Sequence, residues 1–592
     1  MATFTWSLLS NGANFAFNPA VDNLVIDSGI SAASIFFDSP SGTTSVFTYA
    51  GKTVTLQASP FTLTTSNVTF NDGSKFIVGD NSTATNDDGN DLINSSVGGG
   101  GSGDDFIVGA GGDDTMIGNG GNDVFVILGD SLNGIYGSDS VVGGGGGSDR
   151  LFFADAVNGL AINLGNGYDT QSGGRSTGGV ASGGDGNPGS IITFTGIEAA
   201  TGNQFDDLFN ANNTTAINGL RSDIQQRFEG KGGNDTFNGA DDSASATLGG
   251  RTTVAEYRLS GGAVNVNLGT GTASDGMGGT DTLVNIDAVV GSAFADTLTG
   301  GSNSRSIGGN LFEFFEGMGG NDIINGMGGS DRAVYDNSPT AVLVNLSDSL
   351  VGGIVSGTAS DGWGGTDTLV NIEQIRGSSG NDTLVGRSFN ETQIEGRGGN
   401  DSIVGGMELD ETRYSSSPNA VVVNLGAGSI FGNFYGTGTI TVAGGTARDG
   451  WDSTGGGVDT LVSIEGVRGS DFNDTLIGGG SGAFATEIPG GIEKFEGWAG
   501  ADLISGGGEG IDIASYRRDP HGVIVNLSTA SVVLTDGLLT AVTVAGGTAL
   551  DGYWVNSSLG TATQGQRTDT LSYINGAEGS AFDDQLVGGD GN

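Results

Sequence analysis

The chain contains no cysteine and a single histidine, His521, among 592 residues. Disulfide staples and thiolate-ligated metals are thereby excluded, and the two-histidine helix His-Glu-x-x-His of a zinc protease cannot be built. Basic side chains are scarce too: 21 Lys and Arg stand against 68 Asp and Glu, a formal net charge of -47. Such an acidic surface lacks the cationic footprint that phosphate backbones require, so nucleic acid is not an expected partner. Proline is rare at 8 residues, and glycine, abundant at 115, does not recur at every third position, which excludes collagen. No run approaches the ~20 apolar residues of a transmembrane segment. The N-terminus, MATFTWSLLSNGANFAF, has neither the basic stretch nor the long apolar stretch and cleavage site of a secretory signal peptide.

What is present is a nine-residue period. Residues 100–126 read GGSGDDFIV, GAGGDDTMI and GNGGNDVFV, with Gly at the first and fourth places, Asp at the sixth and an apolar residue at the eighth. The phase is carried by Gly100, Gly103 and Asp105, then Gly109, Gly112 and Asp114, then Gly118, Gly121 and Asp123. Glycine permits the positive φ and tight turns that let backbone carbonyls converge on a point. The three residues after each Asp read as a short strand whose eighth-place side chain points inward. Asp91, Asp139 and Asp149 lie in related loops on either side. These loops offer only carboxylate and carbonyl oxygens, which suits a hard cation taking 6 to 8 oxygens at roughly 2.3–2.6 Å, and calcium better than magnesium, which demands a tighter octahedron.

A longer period overlies the short one. A Val/Ile-x-Asn-Leu strand recurs at Asn163, Asn267, Asn345, Asn424 and Asn526, defining units of about 80–105 residues. After it come a Gly-rich loop and Thr-Asp-Thr-Leu or a relative, with Asp281, Asp367, Asp459 and Asp569. Nonapeptide variants follow: GSAFADTLT, GSSGNDTLV, GSDFNDTLI and GSAFDDQLV, containing Asp296, Asp382, Asp474 and Asp584. In three of them Phe294, Phe472 and Phe582 take the place of the fourth glycine, which weakens the turn as a calcium site; these rings are expected to plug the core. Well-formed turns also occur at Gly233 and Asp235, Gly320 and Asp322, Gly329 and Asp331, Gly399 and Asp401, and at Asp502. Tyr257, Tyr335, Tyr414 and Tyr516 are expected to cap the core with the ring while the hydroxyl stays at the surface. Trp363, Trp451, Trp498 and Trp554 are expected to pack against the next coil.

The Gly-Gly-x-Gly-x-Asp-x-apolar-x repeat resembles that of the RTX, or hemolysin-type, calcium-binding proteins, found in bacterial surface-layer proteins and large adhesins. The resemblance implies an all-β fold: a parallel β-roll or β-helix solenoid with Ca2+-binding turns, two nonapeptides making an 18-residue coil. It further implies export through a type I secretion channel with an uncleaved C-terminal signal, and folding outside the cell where calcium is plentiful. No such signal is visible, and the chain stops within a nonapeptide at Asn592, so the natural chain is expected to continue. Residues 1–79 lack nonapeptides and read as a small β-rich N-terminal module or cap; residues 80–155 form the first roll, and residues 156–592 the tandem long repeats.

Catalysis finds little support. GRSTG around Ser176 matches Gly-x-Ser-x-Gly but lacks the flanking strand and helix, and His521 reads as a loop residue. The expected function is that of a secreted, calcium-dependent structural protein, not an enzyme, at the bacterial cell surface, in a surface layer, filament or matrix. Calcium and further copies of the chain are its expected partners, with cell-surface polysaccharide as a candidate anchor. An adhesin stalk and the export module of a larger enzyme or toxin stand as alternatives.

Overall fold

The computed structural model describes residues 2–27, 30–38, 44–49, 52–59, 62–79, 91–95, 103–128, 136–144, 148–153, 157–164, 179–183, 190–211, 225–240, 252–301, 306–307, 310–433, 439–451, 457–479, 491–508, 510–519, 522–534, 542–551 and 568–589. Among these residues there is no α-helix; the protein is all-β, with long sheets of parallel strands compatible with a β-solenoid. It divides into two compact units, Met1–Phe312 and Glu313–Asn592.

In the first unit, two small sheets precede the coils. One is a parallel trio, Thr3–Thr5, Asn23–Ile26 and Val68–Phe70. The other runs Ala13–Ala16, Lys52–Gln57, Ser45–Tyr49, Phe36–Asp38. Their buried Leu24, Ile26, Phe47 and Val54 share one apolar cluster with Phe76, Phe106, Val108 and Val126 of the coils. Ring centroids of Phe47 and Phe76, and of Phe76 and Phe106, lie 5.4 Å and 5.2 Å apart. The two small sheets therefore pack on the apolar end of the coils, whose first strand is already Phe76–Val78, as solenoid ends require.

Each coil contributes one strand to each of two parallel sheets. In the first sheet, Phe76–Val78, Phe106–Ala110, Val124–Ile127 and Arg150–Phe153 stack in register, with Phe106 opposite Val124. In the second, Leu92–Asn94, Thr115–Asn119 and Ser140–Gly144 do the same. The spacing of 18 residues between stacked Asp105 and Asp123 is two nonapeptides. Eighth-place side chains Ile107, Met116 and Phe125 are fully buried, as the alternation of side chains along a strand demands. The second unit repeats the scheme: Phe314–Glu316, Arg332–Val334, Gln374–Arg376, Gln393–Glu395 and Glu411–Arg413 stack in its first sheet, and Thr383–Val385, Ser402–Val404 and Val458–Val462 in its second.

The long repeats arise where the second sheet is interrupted by an antiparallel excursion. After Asn265–Asn267 the chain turns back through Thr272–Ser274 and forward again through Thr280–Val284. In the second unit the same three-strand excursion recurs at Leu343–Asn345, Thr358–Ser360 and Thr366–Val370, at Val422–Asn424, Thr446–Arg448 and Val458–Val462, and at Ile524–Asn526, Thr548–Leu550 and Thr568–Ser572. The repeated Asn holds the excursion's root: Asn345 Nδ2 donates to the carbonyls of Ser349 and Ile354, Asn424 Nδ2 to those of Gly428 and Val442.

Candidate cation-binding turns

The sixth-place aspartates are almost entirely buried, an arrangement that is costly for a carboxylate unless something compensates it. Part of the compensation is a ladder between coils. The backbone N–H of Asp105 donates to Asp123 Oδ1, and that of Asp123 to Asp149 Oδ1, both at 2.8 Å. On the second sheet's side Asp91 donates to Asp114, and Asp114 to Asp139. The same bond joins Asp235 to Asp281, Asp322 to Asp367, Asp382 to Asp401 and Asp401 to Asp459, and Asp474 to Asp502 and Asp502 to Asp569. Most of the aspartates singled out from the sequence are thus brought into files. Gly100 lies outside the described residues, as do Ser176, His521 and Trp554.

The other carboxylate oxygen divides the turns into two kinds. In the open kind, Oδ2 of Asp123, Asp139, Asp235, Asp331, Asp401 and Asp502 is buried and meets no hydrogen-bond donor. As in the closed turns below, it packs against the Cα of the turn's first glycine: a Cβ added at Gly118, Gly230, Gly396 or Gly497 would collide with it. The fourth-place glycines have positive φ, +119° at Gly112, +115° at Gly121, +119° at Gly233, +146° at Gly320, +148° at Gly329 and +126° at Gly399. Second-place residues without that freedom adopt it as well: Asn119, Lys231, Met318, Met327, Arg397 and Trp498 all have φ between 65° and 75°. Each such residue costs about 1–2 kcal/mol relative to the right-handed region, and strain of this sort collects at functional turns.

In the closed kind the chain itself occupies both oxygens. Ser378 donates its N–H to Asp382 Oδ2 at 2.7 Å and its Oγ–H to Oδ1 at 2.8 Å; Ser470 does the same for Asp474, and Ser292 for Asp296. Asn203 N–H likewise closes Asp207 Oδ2. Here the second residue keeps a negative φ and the fourth needs no glycine. Phe294, Phe472 and Phe582 do not plug the core: they are 44%, 43% and 39% exposed, because the fourth place of a closed turn faces outward. Their N–H groups donate to the serine Oγ at 3.1 Å.

The tyrosines also depart from expectation. The hydroxyls are buried, and those of Tyr335, Tyr414 and Tyr516 donate to Oδ2 of Asp367, Asp459 and Asp569 at 3.2, 3.0 and 2.9 Å. Sequence reading missed this because a ring and its hydroxyl carry no local signal of which end is dry. Packing of the tryptophans is as expected where described: the Trp363 and Trp451 side chains lie over the third-place glycines Gly319 and Gly398, and the Arg397 guanidinium sits 5.0 Å from the Trp451 ring.

Electrostatics follows from this crowding. Burial, with like charge from Asp207, Asp281 and Asp275, pushes the Asp235 carboxyl up to about 9. Burial and Asp459 do the same for Asp401, again to about 9. Asp123 rises to about 7 through burial and the neighbouring Asp149 and Asp105, and Asp139 to about 7 chiefly through burial. The open turns are therefore places where negative charge is buried, mutually repelled and short of donors. Among the described residues no three carboxylate or imidazole side chains converge as a self-sufficient metal cage. A cation here would take one carboxylate per turn and draw its remaining ligands from glycine carbonyls, a donor set of hard oxygens that fits calcium. No helix among the described residues is long and apolar enough to cross a membrane. No protein-family model matches the chain, and no curated protein matches it.

Proposed function

We propose that this protein is a calcium-dependent RTX-type β-solenoid with a structural, non-catalytic role at the bacterial cell exterior, exported by type I secretion and assembling with copies of itself. The observation that carries the reading is the set of buried Asp Oδ2 atoms without a donor, each in a glycine-bounded turn. A cation that binds only the folded chain stabilises it by linkage, so the chain is unfolded at low internal calcium and folded outside. Its charge of -47 keeps the calcium-free chain extended by self-repulsion. The open-turn aspartates Asp123, Asp139, Asp235, Asp331, Asp401 and Asp502 are the primary ligands, with Asp105, Asp114 and Asp322 of the same nine-residue pattern beside them.

The test is circular dichroism with light scattering while CaCl2 is added to EDTA-treated protein. A cooperative coil-to-β transition with growth of large particles supports a surface layer, filament or matrix. The same transition without particle growth supports an adhesin stalk or the folding module of a larger secreted protein. A β signal unchanged between EDTA and millimolar calcium would remove the calcium reading altogether.

A further inference from the structure

The turns at Asp235, Asp322 and Asp401 share one feature: an antiparallel excursion comes back over them. Its strand ends in Thr-Ala-x-Asp-Gly, and the aspartates Asp275, Asp361 and Asp449 that follow it are fully buried. Asp275 Oδ1 accepts the N–H groups of Met277, Gly278 and Gly279 at 2.8–2.9 Å, and Asp361 Oδ1 those of Trp363, Gly364 and Gly365. Three donors fix the carboxylate and orient Oδ2. That second oxygen of Asp275, although buried, has no donor; Asp361 Oδ2 has only the Gly320 N–H at 3.4 Å.

The carboxylate meets the neighbouring coil's turn at its fourth-place glycine. A Cβ at Gly365 would strike both the Gly320 carbonyl oxygen and Asp361 Oδ2; Gly457 stands in the same relation to Gly399 O and Asp449 Oδ2, and Gly279 to Gly233 O and Asp275 Oδ2. The excursion also brings a cover: the side chains of Met277, Trp363 and Trp451 lie over Gly232, Gly319 and Gly398, the third residues of the same turns. The proximity of the carboxylates is felt electrostatically, since Asp275 is among the charges raising Asp235 and Asp449 among those raising Asp401.

We infer that these three turns are composite cation sites, in which the excursion supplies a further carboxylate and an apolar lid to the turn's aspartate and its neighbour in the ladder. The inference rests on the calcium reading above and adds to it a second tier of affinity: the added carboxylate and reduced water access bind a divalent cation more tightly than the turn at Asp123, which has no excursion over it. Two of the three, the Asp361 and Asp449 sites, carry an indole within contact of the turn, which makes them visible by luminescence.

The experiment is titration of the full chain with Tb3+ as a calcium substitute, reading indole-sensitised emission, alongside equilibrium dialysis with Ca2+. Asp361→Asn keeps the Oδ1 acceptor for the three N–H donors and removes the charge; it is expected to lose a high-affinity ion and at least tenfold in affinity at that site. Trp363→Phe is expected to keep the ion count and lose part of the sensitised emission. Asp123→Asn serves as the reference turn without an excursion and should alter only the weaker ions. If Asp361→Asn binds as wild type while Asp123→Asn loses an ion, the composite site is wrong and the calcium turns stand. If wild type binds no ion, both readings fall together.

Discussion

The turns beginning at Gly396 and Gly469 are built from the same nine-residue pattern, and both aspartates, Asp401 and Asp474, are 2% exposed. They differ at the second place. Arg397 takes φ +71° and Asp401 Oδ2 has no donor; Ser470 keeps a negative φ and gives Asp474 both its N–H, at 2.6 Å, and its hydroxyl, at 2.8 Å. The carboxyl is pushed up to about 9 in the first turn and about 7 in the second. The residue at the second place and its φ thus go with whether a buried carboxylate is satisfied by its own turn or left with one oxygen short of a donor.

The largest test of this comparison is pH in the absence of calcium. The folded values of Asp123, Asp235 and Asp401 lie above the ordinary 3.8. Protonation therefore favours the folded state: the contribution is full below about pH 4 and is lost as pH rises through 7 to 9. EDTA-treated protein should be more β-structured at pH 5 than at pH 9 by circular dichroism, and saturating calcium should erase the difference at neutral and higher pH. Greater stability at pH 9 in EDTA would contradict the electrostatic account.

Substitutions at the fourth place should separate the two turns next. Gly399→Ala forces a Cβ into the Gly380 carbonyl at φ +126° and is expected to cost about 3 kcal/mol or more in calcium-loaded protein. Phe472→Ala, at a half-exposed position, should stay within about 1 kcal/mol. Thermal unfolding in calcium reads both; equal losses would mean that the fourth place is not what distinguishes the turns.

Charge removal gives a subtler split. Asp401→Asn is expected to raise the calcium concentration at the folding midpoint severalfold while making the calcium-free protein easier to fold, because a buried repulsion is gone. Asp474→Asn should leave the calcium midpoint near its original value. The smallest effect belongs to Ser470→Ala, which removes one hydroxyl bond to Asp474 and the acceptor for Phe472 N–H. About 1–2 kcal/mol of stability should be lost at every calcium concentration, without a change in ion stoichiometry.

The period of the chain was legible from residues alone: nine-residue phasing foretold the 18-residue coil, and the eighth-place residues Ile107, Met116 and Phe125 are buried as alternation requires. Thr272–Ser274 and its counterparts escaped notice because three-residue strands between glycines carry too short a pattern to read. The recurring Thr-Ala-x-Asp-Gly was the available signal, and with it Asp275, Asp361, Asp449 and Asp551 would have joined the candidate ligands. The rings of Phe294, Phe472 and Phe582 were expected in the core and are exposed instead, since nothing in GSDFNDTLI announces that Ser470 turns inward and Phe472 outward. Sequence spacing locates a carboxylate; which donors reach it depends on φ values and on neighbours tens of residues away.

The aspartate ladder has a direction. In every rung described, the N–H of the earlier coil donates to a carboxylate of the later one, beginning with Lys75 N–H on Asp105 and running onward through Asp123 to Asp149. A stack of coils is therefore polar in the way a filament with unlike ends is polar. Its leading edge needs a donor, which the segment around Lys75 provides, and its trailing edge needs an acceptor. Any break between coils yields one fragment with vacant donors and another with vacant acceptors, so two halves cut at a coil boundary would be complementary to each other and not to themselves.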